Sequence, residues 1–176
     1  DETSLLCLSK DQPLSGNHMV DLNLRGFCRP RMWAQYASNH TGVCLVFRFE
    51  TLSKLFYEQH SEKTYASDNV AYRNRNISEI QMDPAFIVNI DYLEDKGMHA
   101  YAYAHIQKYM KRIYFEKGTD WEHESEFRFC VFDTKQTIFI NYKNALAGLV
   151  FGESCNDKDI ASMIEMTQGC SLSYLK

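Results

Sequence analysis

The chain has 176 residues, of which 45% are hydrophobic and 14% aromatic, and this size and composition fit one globular domain. Only 3 prolines and 8 glycines are present, which argues against a disordered or fibrous chain. The net charge of −4 at pH 7 argues against nucleic-acid binding driven by the overall field, while a local basic patch stays compatible with it.

Short strands and helices alternate irregularly along the first half of the chain. Strands are recognised by alternation of apolar residues and helices by apolar residues three or four positions apart. The elements predicted for this half are, in chain order, a strand at 5–9, a surface insertion at 10–30, a helix at 31–38, a strand at 43–49, a helix at 51–60, a loop at 61–69 and an edge strand at 69–73.

Strands cluster in the second half, after one long helical region. Its predicted elements are a helix over 86–115 broken near Gly97, strands at 126–132, 137–142 and 146–151, a helix at 156–167 and a strand at 171–175. Irregularly interspersed helices and late strands predict an α+β fold, with a bent, mainly antiparallel sheet and flanking helices. We expect residues 1–176 to form a single domain.

Cysteine usage and hydropathy indicate the compartment. The chain has 6 cysteines, no C-x-x-C motif, and several cysteines inside apolar runs, so free thiols are predicted rather than disulfides. No apolar run approaches the ~20 residues that a membrane-spanning helix needs. The sequence therefore predicts a cytoplasmic protein.

The most unusual segment leads from Trp121 into a late apolar strand. Strand side chains alternate between faces, so Glu124, Glu126 and Arg128 are predicted to share one face while Phe127 points to the core. Two carboxylates on alternate residues lie about 6.6 Å apart at Cα, close enough to interact. This triplet could act as acid and base, bind a sugar hydroxyl or a metal, or form a solvent-facing salt-bridge ladder.

A second segment carries aromatic residues at helical spacing. Trp33, Tyr36 and His40 fall on one stripe of a predicted helix, and such a stripe is either core or a platform for a ligand. The histidines do not form a metal pattern, since His99 and His105 are six residues apart. Lys108, Lys111, Arg112 and Lys117 form a modest basic cluster that is either a solvated helix face or a phosphate contact.

Four motifs occur in a fixed order along the chain. They are Leu6-Cys7-Leu8-Ser9, Met32-Trp33-x-x-Tyr36-Ala37-x-x-His40-x-Gly42-Val43, Lys117-x-x-x-Trp121-x-x-Glu124-x-Glu126-x-Arg128 and Leu149-Val150-Phe151-Gly152. From about Leu6 to its end, the chain resembles a widespread bacterial family whose domain has no known function. It departs from the family at Gln35, where members usually show His, and at Phe127, where they usually show Trp. Members generally begin with a further segment rich in Tyr and Asn-Asp-Pro-Phe-like residues; if that segment supplies part of the site, the 176 residues alone are incomplete.

A Glu-x-Glu at the start of a late strand is also similar to the third motif of ADP-ribosyltransferase-like proteins. This similarity implies that Glu126 holds a ribose hydroxyl of NAD while the glycosidic bond breaks, with Glu124 as its companion. Tyr36 or Trp121 would then stack on nicotinamide or adenine.

The leading expectation is an NAD-using ADP-ribosyltransferase or NAD glycohydrolase-like domain of a bacterial toxin or phage-defence system. Its expected catalytic residues are Glu126, Glu124 and Arg128, and its expected cofactor-binding residues are Tyr36, Trp33, His40 and Trp121. One alternative is a metal-dependent nuclease or nucleic-acid-binding domain that uses Glu124, Glu126 and His40. Another is a non-catalytic sensing or interaction module. A nucleotide or nucleic acid is the expected partner, and no membrane is expected.

Overall fold

The computed structural model describes residues 2–134 and 136–176 of the chain. Within them, eight β-strands are found. They are β1 (Glu2–Ser9), β2 (Val43–Phe47), β3 (Tyr65–Asn69), β4 (Ala71–Tyr72), β5 (Glu116–Lys117), β6 (Glu126–Thr134), β7 (Leu146–Phe151) and β8 (Ser173–Leu175).

Seven α-helices are found in the same described residues, together with short 3-10 turns. The helices are α1 (His18–Leu22), α2 (Pro30–Tyr36), α3 (Phe49–Gln59), α4 (Ile77–Gln81), α5 (Ile90–Lys96), α6 (Met98–Tyr114) and α7 (Asp157–Met166). None of the helices in this described part combines the length and the apolar character needed to cross a bilayer.

The strands form two separate three-stranded sheets and one two-stranded pair. The first sheet has the order β1-β6-β3 and is antiparallel throughout. The second has the order β2-β7-β8, with β2 antiparallel and β8 parallel to β7. The α+β class predicted from the sequence is confirmed, but the single bent sheet is replaced by two sheets whose first strands, β1 and β2, both lie at an edge.

Each sheet buries one side against helices. Phe129 and Val131 of β6 pack with Leu52 and Phe56 of α3 in the first core cluster. In the second, Leu149 of β7 is 1% exposed and packs near α7. Cys130 and Phe132 are also buried, on the opposite face of β6, so the face that carries Glu126 and Arg128 becomes covered further along the strand.

The break in the long helical region is also confirmed. Gly97 lies between α5 and α6 with a φ of 78°, a left-handed value that glycine adopts without a Cβ clash. Its N–H donates to Leu93 O and so ends α5, while α6 begins at the next residue. A single periodic stretch therefore forms two helices.

Two predicted elements are wrong for identifiable reasons. Residues 65–69 form edge strand β3 rather than a loop, because their backbone pairs with β6 although their side chains are mostly polar. Residues 137–142 do not form a strand in the described structure. Ile138 and Ile140 still pack on the core, but the backbone N–H and C=O of Asn141 bond to the side chain of Gln59.

The predicted strand at 43–49 also ends earlier than expected. The Arg48 guanidinium donates to Asn144 O at 2.9 Å and to Leu146 O at 3.2 Å, which ties the end of β2 to the start of β7. Helix α3 then begins at Phe49, two residues before the predicted helix start at residue 51.

Candidate functional site

Glu124 and Glu126 lie on different elements, which corrects the prediction that both lie on one strand. Glu124 ends a 3-10 helix (Thr119–Glu124), and Ser125 then adopts a left-handed backbone with a φ of 47°. Strand β6 starts only at Glu126. The turn at Ser125 therefore orients Glu124, and strand alternation does not.

Lys117 brings the two carboxylates together. Its Nζ lies 2.6 Å from Glu124 Oε2 and 2.9 Å from Glu126 Oε2. Burial by itself lowers the pKa of Lys117, but the hydrogen bonds to Glu124 and Glu126 outweigh this effect and raise it. Lys117 is therefore a cation of this site rather than a member of a solvated basic face.

Arg128 binds Glu126 through two parallel hydrogen bonds. Arg128 Nε donates to Glu126 Oε1 at 2.6 Å, and Nη2 donates to Oε2 at 3.0 Å. Burial by itself raises the pKa of Glu126, but hydrogen bonds from Arg128, Cys7 and Lys117 together lower it to about 2. Glu126 is therefore a carboxylate at neutral pH, as a bidentate arginine partner favours.

Cations occupy most of the acceptor capacity of Glu126. A carboxylate offers about four lone-pair positions. Arg128 supplies two donors, and Lys117 Nζ, 2.9 Å from Oε2, supplies a third. Glu126 is also only 5% exposed, so a ligand hydroxyl would have to displace one of these donors.

Glu124 is held by side-chain and backbone contacts from the N-terminal third of the chain. Tyr36 Oη donates to Glu124 Oε1 at 2.8 Å, from the last residue of α2. The backbone oxygen of Glu124 accepts from Ser9 Oγ at 2.7 Å and from Arg29 Nη1 at 2.6 Å. These contacts join β1, α2 and the Glu124 turn into one polar cluster, and Glu124 is 2% exposed within it.

Four charged side chains at the centre of this polar cluster balance one another. Glu124 and Glu126 carry two negative charges, Lys117 and Arg128 carry two positive ones, and ion pairs link them in the order Glu124, Lys117, Glu126, Arg128. Buried charges are tolerated when each is paired and hydrogen-bonded, whereas removing one partner leaves an uncompensated charge. The geometry therefore suits a structural cluster at least as well as a reactive one.

An apolar cavity of about 530 Å³ lies beside this cluster. Such a volume is within the roughly 300–1,000 Å³ range of small-molecule sites. Tyr36 and Cys7 line the cavity and also contact Glu124 and Glu126, whereas neither glutamate lines it directly. Most of the remaining wall is apolar, including Leu8, Trp33, Val43, Leu45, Phe47 and Phe127.

The aromatic residues predicted to bind a cofactor are dispersed. Trp33 lines the cavity and donates its indole N–H to Phe27 O at 2.6 Å. Trp121 is 38% exposed, with Lys117 Nζ 5.5 Å from its ring centroid. His40 lies in the turn between α2 and β2, where its backbone oxygen accepts from Ser154 N–H at 3.0 Å. The structure thus brings Trp33 and Tyr36 to one cavity but places Trp121 and His40 elsewhere.

The acidic and basic residues that a metal-dependent nuclease would need are paired with other side chains. Within 2–134 and 136–176, no group of three or more His, Cys, Asp and Glu residues is arranged to hold a metal ion. Between the two glutamates, where a cation would bind, the structure has the Lys117 ammonium. In the basic cluster of α6, Arg112 pairs with Asp83 and Glu116, and Lys111 pairs with Asp68.

Sequence reasoning missed three members of the polar cluster. Cys7 contacts Glu126, Arg29 contacts the backbone of Glu124, and the Tyr72 hydroxyl accepts the N–H of Glu126 at 2.8 Å. Arg29 and Tyr72 have no local signal, because they reach the cluster from distant elements. Cys7 and Lys117 lie in motifs that the sequence analysis singled out, so their positions in those motifs could have indicated a role.

The family follows from a comparison with known protein families. A family model described as "Protein of unknown function (DUF2971)" matches residues 32–129, which is more than half of the chain. The chain belongs to this DUF2971 family. The matched range contains Trp33, Tyr36, Lys117, Glu124 and Glu126, and therefore most of the cluster. Searches of curated proteins and of solved structures gave no significant match.

Proposed function

We propose that this DUF2971 chain is a non-catalytic interaction module. The observation that carries this proposal is the internal pairing of Glu126, which is 5% exposed and accepts from donors of Arg128 and Lys117 within 3.0 Å. A catalytic carboxylate needs an open position toward the reacting group, whereas this one is buried against the two cations that pair with it. In this module, the polar cluster holds β1, α2 and β6 in place, and the apolar cavity beside it receives the partner.

The cavity wall supports binding rather than chemistry. Its lining is mainly aliphatic and aromatic, and its two charged residues are already paired: Lys10 with Asn69, and Asp11 with Arg25 at 2.6 Å. Apolar concave surfaces bind partners through burial of apolar area, which does not require reactive groups.

A second candidate is the NAD-using enzyme, and the position of Tyr36 favours it. Tyr36 lines the cavity, donates to Glu124 and is 62% exposed, so displacement of its ring would connect the cavity to Glu124. A bound NAD would then place a ribose hydroxyl near Glu124 and Glu126. In hydrolysis the C–N glycosidic bond breaks, a water oxygen bonds to the ribose C1′, and nicotinamide, ADP-ribose and a proton leave.

One experiment decides between these candidates. Purified wild-type and Glu126→Gln chains are incubated with NAD, and nicotinamide release is measured by chromatography alongside the free energy of unfolding. If the chain is a non-catalytic module, neither protein should release nicotinamide faster than buffer alone, and the variant should have a lower free energy of unfolding. Nicotinamide release by the wild type that disappears in a folded Glu126→Gln chain would refute the module and support the enzyme.

A further inference from the structure

Two sheet edges face the same cavity. β1 is the first strand of one three-stranded sheet and β2 the first strand of the other, and in the part of the chain that the structure describes no strand pairs with their outer edges. Cys7 to Ser9 of β1 and Val43 to Phe47 of β2 both line the cavity. The cavity therefore lies between the edges of two sheets, and the part of it between β1 and β2 is called the slot.

The hydrogen-bonding pattern of each edge strand shows which of its backbone groups point into the slot. Lys10 N–H donates to Ser125 O at 3.0 Å, and antiparallel pairs alternate between hydrogen-bonded and non-bonded. Residues of β1 at positions 8 and 6 therefore bond to β6, whereas Leu5 and Cys7 direct their N–H and C=O away from it. The other side of β6 agrees, because its even-numbered Glu126 bonds to Val70 next to β3.

The same reasoning applies to β2. Gly152 N–H donates to Gly42 O at 2.9 Å. The even-numbered residues of β2 are therefore the ones that hydrogen-bond to β7. Val43 and Leu45 therefore direct their backbone groups away from β7 and toward the slot. Leu45 lines the slot and is 44% exposed, and Leu8 supplies an apolar side chain from β1.

Unpaired edges with apolar side chains are templates for another strand. One strand between β1 and β2 would lie about 4.8 Å from each and could hydrogen-bond to both. Both charged side chains on the wall already have partners, since Lys10 is hydrogen-bonded to Asn69 and Asp11 is ion-paired with Arg25. The rest of the wall is mainly apolar, so the slot favours an occupant that is uncharged along its centre. The five residues of β2 set the length of this contact at about 16 Å, from a rise of ~3.3 Å per residue.

We propose that the slot binds an extended segment of a separate polypeptide, with apolar side chains at alternate positions. It continues both sheets, so that two three-stranded sheets become one seven-stranded sheet. This inference rests on the proposed function, because it names the partner of the same cavity. Main-chain hydrogen bonds supply much of the affinity, and the apolar wall selects the alternate side chains.

The probe is the capped peptide Lys-Val-Thr-Val-Thr-Val-Lys, whose terminal lysines lie outside the slot. Its control is the same peptide with three alternate backbone nitrogens methylated, which removes donors along one edge. Amide hydrogen exchange of the full 176-residue chain is measured with each peptide. We expect the unmethylated peptide to slow exchange at Cys7, Ser9, Val43 and Leu45, which line the slot and direct their N–H groups away from the neighbouring strand, by about tenfold or more. The methylated peptide should have no such effect.

A pair of variants tests the slot from the side of the protein. Leu45→Pro removes one slot-facing donor without removing a β2–β7 hydrogen bond, and should weaken the peptide effect. Ser67→Pro is the control, because it also removes an N–H donor from the outer edge of a sheet. Ser67 lies on β3, whose odd-numbered residues face away from β6, so this variant should keep the full effect of the peptide on hydrogen exchange. Equal protection by the methylated peptide, or no protection at these four amides by the unmethylated one, overturns the inference. Glu126-dependent NAD consumption instead refutes the proposed function, so the two failures are distinguishable.

Discussion

Replacement of Glu126 by glutamine should expose the energetic role of the polar cluster. The pKa of Glu126 is lowered from 4.5 to about 2, a difference of 2.5 units. At 1.36 kcal/mol per unit, the ionised form stabilises the fold by about 3 kcal/mol at neutral pH. Because the folded pKa is the lower one, this contribution is present above about pH 4.5 and is lost as the pH falls toward 2.

Urea unfolding, followed by tryptophan fluorescence, measures this contribution. At pH 7 we expect Glu126→Gln to lower the free energy of unfolding by about 3–5 kcal/mol, since Arg128 and Lys117 lose a buried partner. Between pH 2 and 4.5 the stability of the variant should rise by about 3 kcal/mol less than that of the wild type, because Asp21, Asp68 and Asp83, whose pKa values are also lowered, still contribute. The control is Glu58→Gln, which removes a surface contact to Lys54 at 3.8 Å and should change stability by less than about 0.5 kcal/mol. If Glu126→Gln unfolds like the control, or keeps the wild-type pH dependence, the pairing of Glu126 does not stabilise the fold.

Three further outcomes follow from individual contacts. Gly152→Ala should lower the free energy of unfolding by about 1–3 kcal/mol, because its Cβ would lie 2.1 Å from His40 O. The control is Gly118→Ala, whose Cβ would meet nothing within 4 Å. Equal melting temperatures of the two variants would contradict this prediction. Burial and the hydrogen bond to Glu126 raise the pKa of Cys7 to about 11, so only about a thousandth is thiolate at pH 8. Cys7 and Cys170 are both exposed, so the raised pKa should make iodoacetamide modify Cys7 more slowly than Cys170, and faster in Glu126→Gln than in wild type, as peptide mass spectrometry would show. Tyr36→Phe should cost about 1 kcal/mol in thermal unfolding, because it removes the donor 2.8 Å from Glu124; no change would mean that water replaces the hydroxyl.

The spacing of apolar residues in the sequence correctly predicted the strands and helices that bury one regular face. The core strand β6, the buried strand β7 and helix α7 all lie where apolar spacing predicts them. The break at Gly97 was also predicted, because glycine interrupts helical propensity. The pattern failed at β3 and at 137–142, since pairing with a neighbour, and not side-chain polarity, decides whether an extended segment becomes a strand.

The sequence by itself determined the α+β class, the family to which the motifs belong, and the placement of Glu126 and Arg128 on one face of a late strand. It did not determine the position of Glu124, which the turn at Ser125 sets. It could not determine that Lys117 neutralises both acids, or that Cys7, Arg29 and Tyr72 complete the polar cluster. Arg29 and Glu124, for example, are 95 positions apart. Such contacts depend on how strands and helices pack, and that is set by the tertiary fold rather than by local spacing. The slot between β1 and β2 is likewise a property of tertiary structure, because it exists only where the edges of two sheets come together.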